Sequence, residues 1–284
     1  RLNVEFGGGL LMAIEVFNGT YPKRFLHELV SGQLDMDRMD YLNRDSFFTG
    51  VSEGVISFDR IIKMLDVVDD HIAVEEKGIY SIEKFLIARR LMYWQVYLHK
   101  TVVSAEQLLA KILKRARELA LAGNSLFATP DLNHFLVNKV SKADFMKNER
   151  HIDAFAGLDD TDIMSAIKVW ADDEDFVLSQ LCGMMMRRNL YHVDITSEPP
   201  DQHLLRKLID KASAKYPIMK DEAGYFVFTD TITNNAYKPG DGSIRILMKD
   251  GTLHDIASAS DNSNLEALAK TVKKYVFCYT KDLI

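Results

Sequence analysis

Arg89, Tyr93, Tyr97 and Lys100 stand at i, i+4, i+8 and i+11, within about 80° of arc on a helix that turns 100° per residue. Two cations and two phenols on one stripe suit a phosphorylated aromatic ligand. A guanidinium forks phosphate oxygens, an ammonium adds a point charge, and a phenol stacks on or hydrogen-bonds sugar and base. The same stripe also fits a basic edge snorkelling above a buried aromatic core. A second stretch, SGQLDMDRMDYLNRDSFFTG from Ser31 to Gly50, is denser still. On a helix, Asp37, Tyr41, Arg44 and Asp45 fall at i, i+4, i+7 and i+8 and share a face, with Asp40 beside them. Leu34, Met36, Met39 and Leu42 occupy its other positions. A solvated face held by i,i+4 salt bridges is the alternative reading of these charges.

The elements that would carry these residues are mostly helical. Apolar spacing predicts helices over 10–17, 22–32 and 58–65, with Asn18-Gly19 and Gly32 as stops. The strings HIAV and KGIYS, within 66–80, suggest a small hairpin. Ser81 is a good N-cap, and no Gly or Pro interrupts 81–121, which predicts one very long helix or two end to end. Helices follow near 130–138, 160–171 and 174–187, then a strand at 190–195 and a polar helix near 201–215. In the tail, 225–233, 243–248 and 274–279 read as strands. Asp250-Gly251 makes a hairpin turn into LHDIA, and a short helix is expected near 263–270. The fold class is therefore mainly α with a smaller α+β region at the C-terminal end. The division expected is a helical core over 1–187 and an α+β region over 188–284.

Composition narrows the function classes. The chain has 284 residues, 47% of them apolar and 27% charged, which are globular proportions. With 35 basic and 41 acidic residues the formal net charge is −6, which argues against a broad nucleic-acid-coating surface but leaves room for a local basic pocket. Two cysteines, Cys182 and Cys278, suit a reducing compartment and lack a CxxC partner. With no long apolar run, a cytoplasmic protein without a membrane partner is expected. Gly7 to Gly9 lack the Lys-Ser/Thr of a phosphate-binding loop. Met184 to Met186 read as packing residues, and His192 and His203 as surface or satisfied core histidines.

The string LVSGQLDMDRMDYLNRDSFFTGV, followed some forty residues later by ARRLMYWQVYLHK, resembles the HD-domain dNTP triphosphohydrolases, which include bacterial dGTPase-like enzymes and the mammalian SAM-and-HD-domain enzyme. The resemblance covers roughly residues 10–120 and weakens towards RNLYHV. It implies a metal-dependent phosphohydrolase that cleaves a deoxynucleoside triphosphate to deoxynucleoside and triphosphate. By the same resemblance Asp37 is a ligand of a divalent ion (Mg, Mn, Fe, Ni or Zn), and Arg38 and Arg89 reach the substrate phosphates. Tyr41 and Asp45 hold the deoxyribose, the tyrosine packing where a 2′-hydroxyl would project. Tyr97 and His99 lie near sugar and base, with Lys100 adjacent. It further implies a homo-oligomer, dimer or tetramer, and a possible nucleotide effector.

The family's metal site also uses a His and a His-Asp doublet before that Asp, whereas His27 is the one histidine preceding Asp37. His254-Asp255 comes in the wrong order, and His71, after Asp69 and Asp70, reads as a turn residue. The expectation is that an N-terminal portion of about 100 residues lies outside this sequence, and that the 284 residues alone do not turn over. Two alternatives stand beside the enzyme: a non-catalytic nucleotide-binding or regulatory module, and an HD phosphohydrolase acting on another phosphoester.

Overall fold

Asp35 begins the helix that carries the acidic motif. Its side chain accepts the Arg38 backbone N–H at 2.8 Å, one of the donors a helix start leaves without an intrahelical partner. Gly50, at φ 72°, ends the same helix in the left-handed conformation that glycine adopts without strain. The computed structural model describes residues 1–235, 237–240, 242–261 and 270–284. The expected helix near 263–270 lies, but for residue 270, outside the described residues.

In chain order the first elements are α1 (Leu2–Glu5), α2 (Leu11–Asn18), α3 (Arg24–Ser31), α4 (Met36–Thr49), α5 (Phe58–Lys63), β1 (Leu65–Val68), β2 (His71–Glu75) and α6 (Ile79–Met92). Then come α7 (Lys100–Leu121), α8 (Pro130–Val137), α9 (Lys142–Phe145), α10 (Glu149–Gly157), α11 (Asp160–Trp170) and α12 (Phe176–Met186). The remainder is β3 (His192–Thr196), α13 (Gln202–Lys215), β4 (Val227–Asn234), β5 (Arg245–Leu247), β6 (Leu253–Asp255), α14 (Ile256–Ala259) and β7 (Val272–Tyr279). The fold is mainly α, with two small sheets.

Residues 1–99 and 233–273 form one compact unit, and residues 100–232 with 274–284 form another. This division by packing differs from the one expected at 187/188: the units part at 99/100, and residues 233–273 return to the first. In that unit Leu42, Ile61, Ile82, Phe85, Leu86, Met92 and Ile246 are fully buried in one core. The sheet order is β1-β2-β5-β6, and β2 pairs in parallel with β5, Val74 opposite Ile246. The second unit is built on the apolar stripe of α7, with Leu108, Ile112 and Ala116 fully buried. Its sheet, β3-β7-β4, pairs β3 antiparallel to β7. No helix among the described residues is long and apolar enough to cross a membrane.

Several local expectations are corrected. The hairpin joins β1 to β2 through Asp69 and Asp70, both at positive φ (51° and 60°), as a tight two-residue turn requires. KGIYS is therefore not a strand but the start of α6, and Ser81 lies inside that helix rather than at its cap. The run 81–121 is not one regular helix. Tyr93–Tyr97 form a π-turn, closed by a bond from the Leu98 N–H to the Tyr93 carbonyl at 2.7 Å, before α7 begins. After β6 the segment LHDIA turns into α14, capped by Asp255. α9 and α10 were not anticipated; α9 opens with a capping box between Ser141 and Asp144.

Candidate active site

Arg38 lies in the first turn of α4 and is held from two sides. Its guanidinium donates to the Gly32 carbonyl at 2.5 Å and to the Asp35 carboxylate. Asp35 is 2% exposed, and burial pushes its carboxyl above the usual range, while the Arg38 N–H and charge pull the other way. Arg89, from α6, also acts on Asp35, so the two arginines converge on one end of α4.

Two turns further along α4, Asp45 accepts the Tyr97 hydroxyl at 2.5 Å. Tyr97 sits on the π-turn, and its ring meets Tyr41 edge-on at 6.1 Å and Tyr93 at 5.3 Å between centroids. The Arg89 guanidinium lies 5.9 Å from the centre of the Tyr93 ring. Burial, and then the bond to Asp45, push the Tyr97 phenol well above its ordinary range, so it stays a protonated donor. Burial also raises Tyr41. The motif and the segment around Tyr97 thus meet as two walls, with arginines at one end and a phenol–carboxylate pair further along.

Arg38 and Arg89 also line a cavity of about 570 Å³ within the first unit. Arg24, Lys238 and Arg245 line it too, which makes five cations. The one carboxylate among its described lining residues is Glu28, which takes His71 Nδ1 at 2.6 Å and the Ile72 N–H at 2.7 Å. His27 bonds the Val16 carbonyl through Nδ1 at 2.9 Å, and since a carbonyl only accepts, that nitrogen carries the proton. Arg24, Lys238 and Arg245 had no local signal in the sequence: Arg24 reaches the cavity from the start of α3, Arg245 through the β2–β5 pairing and Lys238 from the loop preceding β5.

The remaining expected site residues lie elsewhere. Asp37 is exposed in the first turn of α4. Arg44 leaves the motif's face to pair with Asp40 at 2.6 Å, an exposed i,i+4 bridge. His99 is exposed. Lys100 opens α7 in the second unit, 3.6 Å from Asp194. Asp255, already set aside as a metal ligand by its place in the sequence, caps α14 and accepts the Tyr237 hydroxyl at 2.6 Å. Among the described residues no three His, Cys, Asp or Glu side chains gather as metal ligands. One exposed carboxylate does not make a divalent site, so Asp37 alone does not supply a metal centre.

Residues 56–136 match a family described as the HD associated region. A solved structure of a phosphohydrolase from Bacteroides thetaiotaomicron superposes with a TM-score of 0.92 at 53% identity, over 99% of this chain and 70% of that one. The uncharacterized protein YwfO of Bacillus subtilis is 30% identical over 286 residues, 95% of this chain and 61% of the relative's length. A Dictyostelium discoideum protein named as a deoxynucleoside triphosphate triphosphohydrolase SAMHD1 homolog is 30% identical over 107 residues, 37% of this chain and 21% of its own.

Proposed function

The chain belongs to the HD-type phosphohydrolases, and we propose that it forms the phosphate and sugar subsites of an enzyme that cleaves deoxynucleoside triphosphates to deoxynucleoside and triphosphate. The observation that carries this reading is the line of contacts from the Arg89 guanidinium over the Tyr93 ring to Tyr97 and its bond to Asp45. Arg38 and Arg89 offset the negative charge of the phosphates, and their partners hold them before ligand arrives, so little reorganisation remains at binding. Tyr97 stays protonated and fixes Asp45 as an acceptor, leaving the second carboxylate oxygen to take a sugar hydroxyl. The Tyr41 ring, edge-on to Tyr97, closes the space a 2′-hydroxyl would need.

His99 and Lys100 enter the proposal as the resemblance has them, near sugar and base. Asp37 enters as the single metal ligand that the resemblance assigns to this chain. The experiment uses the full-length protein. Asp45→Asn should depress hydrolysis of dNTPs by roughly tenfold or more, the size expected when a charge-assisted hydrogen bond is lost. Hydrolysis unchanged in that variant would remove Asp45, and the sugar subsite with it, from the reading.

A further inference from the structure

The segment that carries Lys238 and Arg245 is fastened at three points. Tyr237, 1% exposed, donates its hydroxyl to Asp255 at 2.6 Å. Gln33 then grips the backbone that follows. Its Nε2 donates to the carbonyls of Lys238 at 2.6 Å and Gly242 at 2.9 Å, and its Oε1 accepts the Lys238 N–H at 2.8 Å. Beyond the loop, β5 closes the segment by pairing in parallel with β2. Gln33 stands two residues before Asp35, whose carboxylate holds Arg38. One short stretch therefore sets both groups of cations around the cavity.

A cavity whose described lining has separated cations and one already occupied carboxylate suits an extended polyanion better than a single phosphate. We propose that Lys238 and Arg245 hold the distal phosphates of a triphosphate-bearing ligand whose proximal phosphate meets Arg38 and Arg89, and that Gln33 is the positioning residue for that subsite. The proposal rests on the phosphate part of the reading above and adds the residues that measure the length of the phosphate chain.

The test titrates inorganic triphosphate and inorganic phosphate into the full-length protein by calorimetry, with dNTP kinetics in parallel. The double variant Lys238→Gln, Arg245→Gln should weaken triphosphate binding by roughly tenfold or more while leaving phosphate binding unchanged. Lys238 is exposed, so Lys238→Gln alone serves should the double variant fold poorly. Gln33→Ala should raise KM for a dNTP several-fold with little change in kcat. Gln33→Glu should be at least as damaging, because its carboxylate opposes two carbonyl oxygens; rescue by Glu would point to a merely space-filling role and overturn the positioning assignment. Unchanged triphosphate affinity in the charge variants, or equal loss for phosphate and triphosphate, overturns the subsite. If triphosphate binding shows these losses but no dNTP is cleaved, the nucleotide reading fails and the subsite stands. If dNTPs are cleaved normally by the double variant, the subsite fails and the nucleotide reading stands.

Discussion

Tyr97 donates its hydroxyl to Asp45 at 2.5 Å, joining the π-turn after α6 to the third turn of α4. Tyr97→Phe removes the donor while keeping the ring against Tyr41 and Tyr93. Loss of a hydrogen bond to a charged group predicts a fall in kcat/KM for dNTPs of roughly tenfold, with a stability cost near 1 kcal/mol in denaturant titration. A variant as active as the parent would show that the pair is a packing contact only.

Asp35 caps α4 and holds the Arg38 guanidinium at once. Asp35→Ala should cost about 1 kcal/mol for the lost cap, and more for the guanidinium left behind. Asp35→Asn keeps an oxygen for the Arg38 N–H and should lose less. The ranking wild type, Asn, Ala in thermal melting checks the assignment; equal melting of Asn and Ala variants would contradict the cap.

In the second unit Arg115 lies between Asp175 (3.0 and 2.5 Å) and Glu222 (2.7 Å), with side chains 15%, 18% and 13% exposed. The bidentate bond to Asp175 raises the guanidinium further above its usual range. Arg115→Met strands two half-buried carboxylates and should destabilise by about 3 kcal/mol, the scale for breaking a buried pair. Urea denaturation gives the value, and a change below about 1 kcal/mol would place the cluster among ordinary surface pairs.

His134 and His151 share one hydrogen bond, Nε2 to Nδ1 at 2.7 Å, which needs one donor and one acceptor. Burial first, then the charges of His151 and Arg150, lower His134 below its ordinary 6.5. A base with a depressed folded value binds fewer protons folded than unfolded. Its stabilising contribution is therefore complete above about pH 6.5 and shrinks as pH falls towards the folded value. The melting temperature of the parent should fall relative to that of His134→Gln between pH 7.5 and 5. Parallel pH profiles would contradict the linkage.

Local signals carried much of the fold. Caps and stops at Asp159, Gly19 and Asp250-Gly251 act on their own neighbours, and the structure uses each of them. The break in the run 81–121 had no such signal, since a π-turn needs neither Gly nor Pro and shows only as the Leu98 to Tyr93 bond. Likewise Asp69 and Asp70 take positive φ without a glycine to announce it, so the turn read there does not show as the hairpin's own and KGIYS reads as its second strand. For the candidate site, Tyr41 with Asp45 and Arg89 with Tyr97 share helical spacings, and the structure brings Tyr41, Asp45 and Tyr97 into contact. Lys238 and Arg245 were illegible because they reach the cavity that Arg38 lines through contacts spanning some two hundred positions, such as Gln33 to Lys238. No periodicity within a segment encodes such a contact.

The central claim is that these subsites serve cleavage of a deoxynucleoside triphosphate between its sugar and its phosphate chain. Phosphorus NMR of the full-length protein acting on dGTP and on GTP, with a divalent ion present, tests it most directly. The account predicts intact triphosphate as the phosphorus product, formed from dGTP much faster than from GTP. Release of single phosphate or pyrophosphate, or equal rates on the two nucleotides, would contradict it.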